Sequence, residues 1–95
     1  MNQYKLSSEY STKGIEMLEN MIFGSSNKKL EIKIKEINKS PFKSLLTKLY
    51  MRRASSLRQQ KLYEKAIFDY EFLLKLLPDD KGLINYSLID IYNQY

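Results

Sequence analysis

The side chains that could do chemistry in this sequence are overwhelmingly cations. Eleven lysines and arginines fall between residues 27 and 61 against two acids, Glu31 and Glu36, leaving nine uncompensated positive charges there, whereas the whole chain carries +5. Lys28, Lys29, Lys33, Lys35, Lys39 and Lys43 precede Arg52, Arg53 and Arg58. A segment this basic attracts an acidic partner, whether a carboxylate-rich peptide, a nucleic acid or an anionic membrane surface, and charge alone does not choose among them.

Catalytic chemistry finds little support. The chain has no histidine and no cysteine, which removes imidazole acid-base catalysis, thiol nucleophiles, disulfides and the usual structural zinc sites. No phosphate-binding glycine loop is present. Asp79-Asp80 is the one adjacent carboxylate pair, and helix capping explains it better than acid-base work. The expectation is a protein that is not an enzyme, with no cofactor and no metal.

The elements that must position these groups are helical. Ninety-five residues fit one domain, residues 1–95, and three glycines and two prolines leave little room for the turns of an all-β fold. In Tyr63 to Leu77, Ala66, Ile67, Tyr70, Leu73, Leu74 and Leu77 recur at three- and four-residue steps, the spacing of one helical face. Pro78 ends that helix, and Asp79 and Asp80 suit the N-cap of another, Lys81 to about Gln94. Ser40-Pro41 marks the start of a helix reaching about Gln59, with Leu45, Leu46, Leu49 and Leu57 as its buried stripe. A further helix runs from about Lys5 to Phe23, with Tyr10, Gly14, Met17, Leu18 and Met21 on one side, and Gly24 to Asn27 punctuates its end. Lys28 to Asn38 fits both a strand and a helix, and we assign a helix because a lone strand would have no pairing partner.

The segments align with one another. Tyr10, Gly14 and Met17 precede Tyr50, Ala54 and Leu57 by forty residues, and Leu30, Ile34 and Ile37 precede Ala66, Tyr70 and Leu73 by thirty-six. This spacing predicts an all-α fold of about five helices, in which antiparallel helical hairpins stack as a short solenoid.

From Thr47 to Asp80 the chain resembles a tetratricopeptide repeat: Tyr50, Arg53, Ala54 and Leu57, then Ala66 and Tyr70, then Pro78 stand where that pattern has W-x2-L-G-x2-Y, A-x3-F and P. The resemblance implies a clear repeat at 47–80, a degenerate first repeat at about 7–40, and an extra C-terminal helix at 81–95. Arg53, at an apolar position of the pattern, is expected to lay its aliphatic stem on the core.

Proteins of this family are binding scaffolds, and one subgroup clamps the C-terminal carboxylates of chaperones with basic residues on its inner helices. Lys48 to Ala54, KLYMRRA, looks like the last repeat of that clamp. By this resemblance Lys48 and Arg52, four apart on one helix face, would hold an acidic peptide end. Ser11 and Ile15 replace the residues expected of the clamp's first repeat, and a solvated helix face is the alternative reading of the pair.

Phe68 and Phe72, one turn apart, are expected either as exposed rings forming an interface or as rings covered by Phe23 or the N-terminal residues. In the last helix Leu83, Ile84, Tyr86, Leu88, Ile89, Ile91, Tyr92 and Tyr95 spread around the circumference. Tyr86, Ile91, Tyr92 and Tyr95 are therefore expected at an interface with a second copy or a partner, unless the sequence is part of a longer array. The functional expectation is a cytoplasmic protein-interaction adaptor, with a nucleic-acid-binding protein or a structural subunit of a larger assembly as alternatives. Neither a secretory signal nor a membrane-spanning stretch is read in the sequence.

Overall fold

The computed structural model describes residues 3–24, 29–77 and 81–94. They form five α-helices, α1 (Gln3–Phe23), α2 (Leu30–Lys39), α3 (Lys43–Gln59), α4 (Tyr63–Leu76) and α5 (Lys81–Gln94), with no strand among them. The all-α architecture is the one anticipated, and the ambiguous fifth segment is helical.

α3 is the centre of the packing. α1 and α4 each lie along it, α5 packs principally on α4, and the short α2 touches α1, α3 and α4. The α3–α4 hairpin forms because each helix has a stripe of apolar or small residues at helical spacing. Leu46, Tyr50, Ala54 and Leu57 of α3 and Ala66, Tyr70, Leu73 and Leu76 of α4 are all buried. Small Ala54 and Ala66, both fully buried, let helices approach closely.

The turn between them is a Schellman motif. Leu62 N–H donates to the Leu57 carbonyl at 2.9 Å and Lys61 N–H to the Arg58 carbonyl at 3.0 Å, with Lys61 left-handed at φ 65°. A glycine normally takes this position, so Lys61 holds a backbone conformation that costs a side-chain-bearing residue about 1 kcal/mol.

α1 buries a different face from the one expected. Tyr10, Met17 and Met21 are exposed, while Ser8, Ser11, Ile15 and Leu18 are buried. The reason is close approach to α3: a Cβ placed on Gly14 would lie 2.9 Å from Leu49 Cδ1, too near for two bulky stripes to meet. Ser8, Ser11 and Gly14 let α1 settle on α3 with Ile15 and Leu18 between them, and Tyr10, Met17 and Met21 turn outward. Tyr10 and Met17 therefore differ in burial from Tyr50 and Leu57, the positions forty residues on. On α3 itself, Leu45 is half exposed rather than buried.

Two boundaries also shift. Ser40 caps the turn that leads into α3 rather than the first regular turn of the helix. Its hydroxyl accepts from Phe42 N–H at 3.0 Å, and the helix begins at Lys43, within the usual latitude of helix ends. α4 ends at Leu76. The expected roles of Pro78, Asp79 and Asp80, and the punctuation at 25–27, lie outside the described residues.

Candidate functional site: a groove between α1 and α4

α1 and α4 flank α3 and leave an open groove of about 860 Å³ between them. Lys5, Ser8, Glu9, Thr12, Lys13 and Glu16 of α1 form one wall. Leu62, Glu64, Lys65 and Phe68 form the other, and Arg53, Leu57 and Asp69 line it with them. The α1 residues recur every three or four positions, so one helical face supplies that whole wall. On α4, Phe68 stands one residue from Asp69 and is 70% exposed.

Arg53 and Asp69 are locked together. Arg53 Nε donates to Asp69 Oδ2 and Nη2 donates to Oδ1, each at 2.7 Å, a fork-to-fork pair. Nη1 also reaches Thr12 Oγ1 at 3.4 Å, linking α3 to α1. The guanidinium carbon lies 5.1 Å from the centroid of the Tyr50 ring. Burial opposes the charge on Arg53, but the hydrogen bonds and negative charge of Asp69 outweigh it, holding the guanidinium above its ordinary value. To the aliphatic stem expected on the core the structure adds a paired head group, because a charge set into an apolar stripe must meet an opposite one.

Tyr50 extends the network. Its hydroxyl donates to Glu19 Oε2 at 2.5 Å, and its ring packs on Phe72 with centroids 4.7 Å apart. Burial, then the hydrogen bond to Glu19 and the charge of that carboxylate, push its pKa far upward. Phe72 is therefore not an exposed ring beside Phe68. It is half-buried against the core.

At the open end of the groove, Gln60 ties the hairpin turn to α1. Its amide nitrogen reaches the Tyr4 carbonyl and the Ser8 hydroxyl, both at 3.2 Å. Polar contacts thus brace the groove both from Arg53 on α3 and from Gln60 in the α3–α4 turn.

No protein family, no curated protein and no solved structure matches this chain at a significant level.

The remaining expected residues sit elsewhere. Lys48 and Arg52 are both exposed on α3 and outside the groove. Among the described residues no carboxylate forms an ion pair with either. Tyr86 and Tyr92 of α5 are exposed, but Ile91 is fully buried and cannot serve as interface surface; Ile89 is exposed instead. Tyr95 lies outside the described residues.

Sequence reasoning passed over Asp69 and the α1 wall. Asp69 had a signal: an arginine at an apolar position of α3 demanded an acid on the helix it packs against, and Asp69 adjoins the Ala66, Tyr70, Leu73 stripe of α4. The α1 wall had none, because Lys5, Glu9, Lys13 and Glu16 read as an ordinary solvated face.

Proposed function

We propose that this chain is a tetratricopeptide-like protein-interaction module whose groove between α1 and α4 receives an amphipathic helix of a partner protein. The repeat reading is supported by the burial of Tyr50, Ala54, Leu57, Ala66 and Tyr70, the residues that carry the resemblance, on two helices that pack together.

The choice of occupant rests on reading the groove as a continuation of the course of α2, a helical lane filled along only part of its length; its support is the helix lengths and the shared neighbours of α2 and the groove. α1 has 21 residues and α2 has 10, which at 1.5 Å per residue is about 31 Å against about 15 Å. α2 packs on α1, α3 and α4, and its Lys33 ammonium lies 5.8 Å over the ring of Phe23 at the C-terminal end of α1. The groove is lined by the same three helices, beside residues 5–16 of α1. A partner helix of about ten residues continues the lane of α2.

The chemistry of the lining fits such a helix. Leu57, Leu62 and Phe68 offer apolar surface, and the acids and bases of the lining are equal in number: Lys5, Lys13, Arg53 and Lys65 against Glu9, Glu16, Glu64 and Asp69. A balanced lining favours a helix with both signs on its flanks, and gives no purchase to a nucleic acid, which needs a run of cations. Arg53 and Arg58 also face Asp69 and Asp90 respectively, which thins the basic character of the middle segment.

The test is a selection of helical peptides from a display library on the immobilised protein. Selected sequences should be amphipathic and should lose at least about tenfold in affinity with Phe68→Glu, a loss of roughly 1.4 kcal/mol. Failure to select any helix, or affinity indifferent to Phe68→Glu, contradicts the proposal.

The acidic-peptide reading attaches to a separate face. Its support is that Lys48 and Arg52 are exposed one turn apart with no described carboxylate paired to them. A peptide with a carboxylate-rich end should lose affinity in the Lys48→Ala/Arg52→Ala variant and be unaffected by Phe68→Glu. No binding, or binding that ignores both cations, removes that reading.

A further inference from the structure

α5 is apolar on two sides, and only one of them is used by the fold. Ile84, Leu88 and Ile91 are buried, and α5 packs principally on α4. The other side carries Tyr86, 75% exposed, Ile89, 60% exposed, and Tyr92, 55% exposed, with exposed Asn85 and Asn93 beside them. At 3.6 residues per turn these five lie within about 60° on either side of Ile89.

Their order is a palindrome about Ile89: Asn85, Tyr86, Ile89, Tyr92, Asn93. From this we infer that the outer face of α5 is a two-fold interface between two copies of this chain, with the α5 helices antiparallel and crossing at Ile89. A two-fold interface requires one patch to complement itself, residue i meeting j and j meeting i. In an antiparallel pair centred on Ile89, Tyr86 of each copy meets Tyr92 of the other, the two Ile89 side chains meet on the axis, and Asn85 meets Asn93. Each asparagine amide both donates and accepts, so that pair can satisfy itself. The tyrosines cover the isoleucines with their rings and keep their hydroxyls at the wet margin.

Electrostatics point the same way. A chain of net charge +5 resists association with its own copies, so a self-interface needs a surface without uncompensated charge. These five residues carry none. Asp90, the nearest acid on the helix, is turned toward Arg58 at 3.7 Å and accepts from Gln94 at 3.4 Å.

The full chain is tested by sedimentation equilibrium and by cross-linking. The face is small, so a concentration-dependent rise to twice the chain mass is expected, reached at about tens of micromolar. Ile89→Glu should shift the midpoint at least tenfold upward with unchanged helical circular dichroism, while Phe68→Glu leaves it in place. Tyr86→Lys and Tyr92→Glu should each weaken association when introduced singly, and the double variant should regain it, because the new cation of one copy meets the new carboxylate of the other. The chain lacks cysteine, so Ile89→Cys supplies a single thiol that mild oxidation should couple into a dimer, whereas Leu45→Cys on α3 should not couple. A monomer at all concentrations up to about 1 mM, or a dimer indifferent to Ile89→Glu, overturns the inference. Loss of the dimer with Phe68→Glu alone overturns it as well, placing self-association in the groove.

Discussion

Arg53 of α3 and Asp69 of α4 form a two-pronged ion pair, with both N···O distances at 2.7 Å and the Asp69 side chain only 2% exposed. The pair joins the hairpin beneath the groove, and through Thr12 it reaches the opposite wall. Removing the acid leaves a largely buried guanidinium without its counter-charge. Asp69→Asn is therefore expected to destabilise the fold by about 3 kcal/mol, read as a fall in the urea midpoint. Replacing both partners by leucine should recover most of that loss, since a packed apolar pair substitutes well for a buried ionic one. If the double variant is no more stable than the single, the pair is not the reason for the loss.

The Tyr50 hydroxyl implies a specific alkaline weakening. Its pKa lies above the ordinary value of 10.0 in the folded state because of burial, the hydrogen bond to Glu19 and the Glu19 charge. The raised value means the folded state keeps a proton that the unfolded state releases, so the contribution is complete below pH 10 and is lost as pH rises beyond it. Above pH 10 the stability of the wild type should fall more steeply than that of Tyr50→Phe, by up to about 1.4 kcal/mol per pH unit. Equal slopes would mean that the hydroxyl is not held protonated by the fold.

Lys61 holds its left-handed backbone at φ 65° at the end of α3. Lys61→Gly should relieve that conformation and raise stability by up to about 1 kcal/mol. A loss in the thermal midpoint instead would mean that the lysine side chain contributes more than its backbone costs.

On α1 the contrast between faces can be measured directly. Tyr10→Ala and Met17→Ala, at exposed positions, should each change stability by less than about 0.5 kcal/mol. Ile15→Ala, at a buried one, should cost about 2–5 kcal/mol. The reverse order would restore the face first read from the sequence.

These contrasts show where sequence reasoning carries and where it fails. In α3 and α4 the buried residues other than Ser56 and Asp69 are apolar or small ones recurring at helical steps, so Tyr50, Ala54, Leu57, Ala66, Tyr70 and Leu73 were readable. In α1 Tyr10, Met17 and Met21 face outward while Ser8 and Ser11 are buried beside Ile15 and Leu18, because Gly14 lies close to Leu49 and small residues ease that approach, and a hydrophobic scale ranks serine below tyrosine and methionine. α5 is apolar around its circumference, so periodicity did not tell Ile89 from Ile91; only its docking on α4 does. The groove is a property of unequal helix lengths and of three helices meeting, and no local pattern encodes it.

The decisive measurement for the groove is an amide shift map of the labelled protein titrated with a selected amphipathic helix. The largest changes should fall together at Glu9, Thr12, Leu57 and Phe68, on both walls and between them, and should vanish in Phe68→Glu. Changes confined to the surroundings of Lys48 and Arg52, or to α5 around Ile89, would contradict the groove as the binding site.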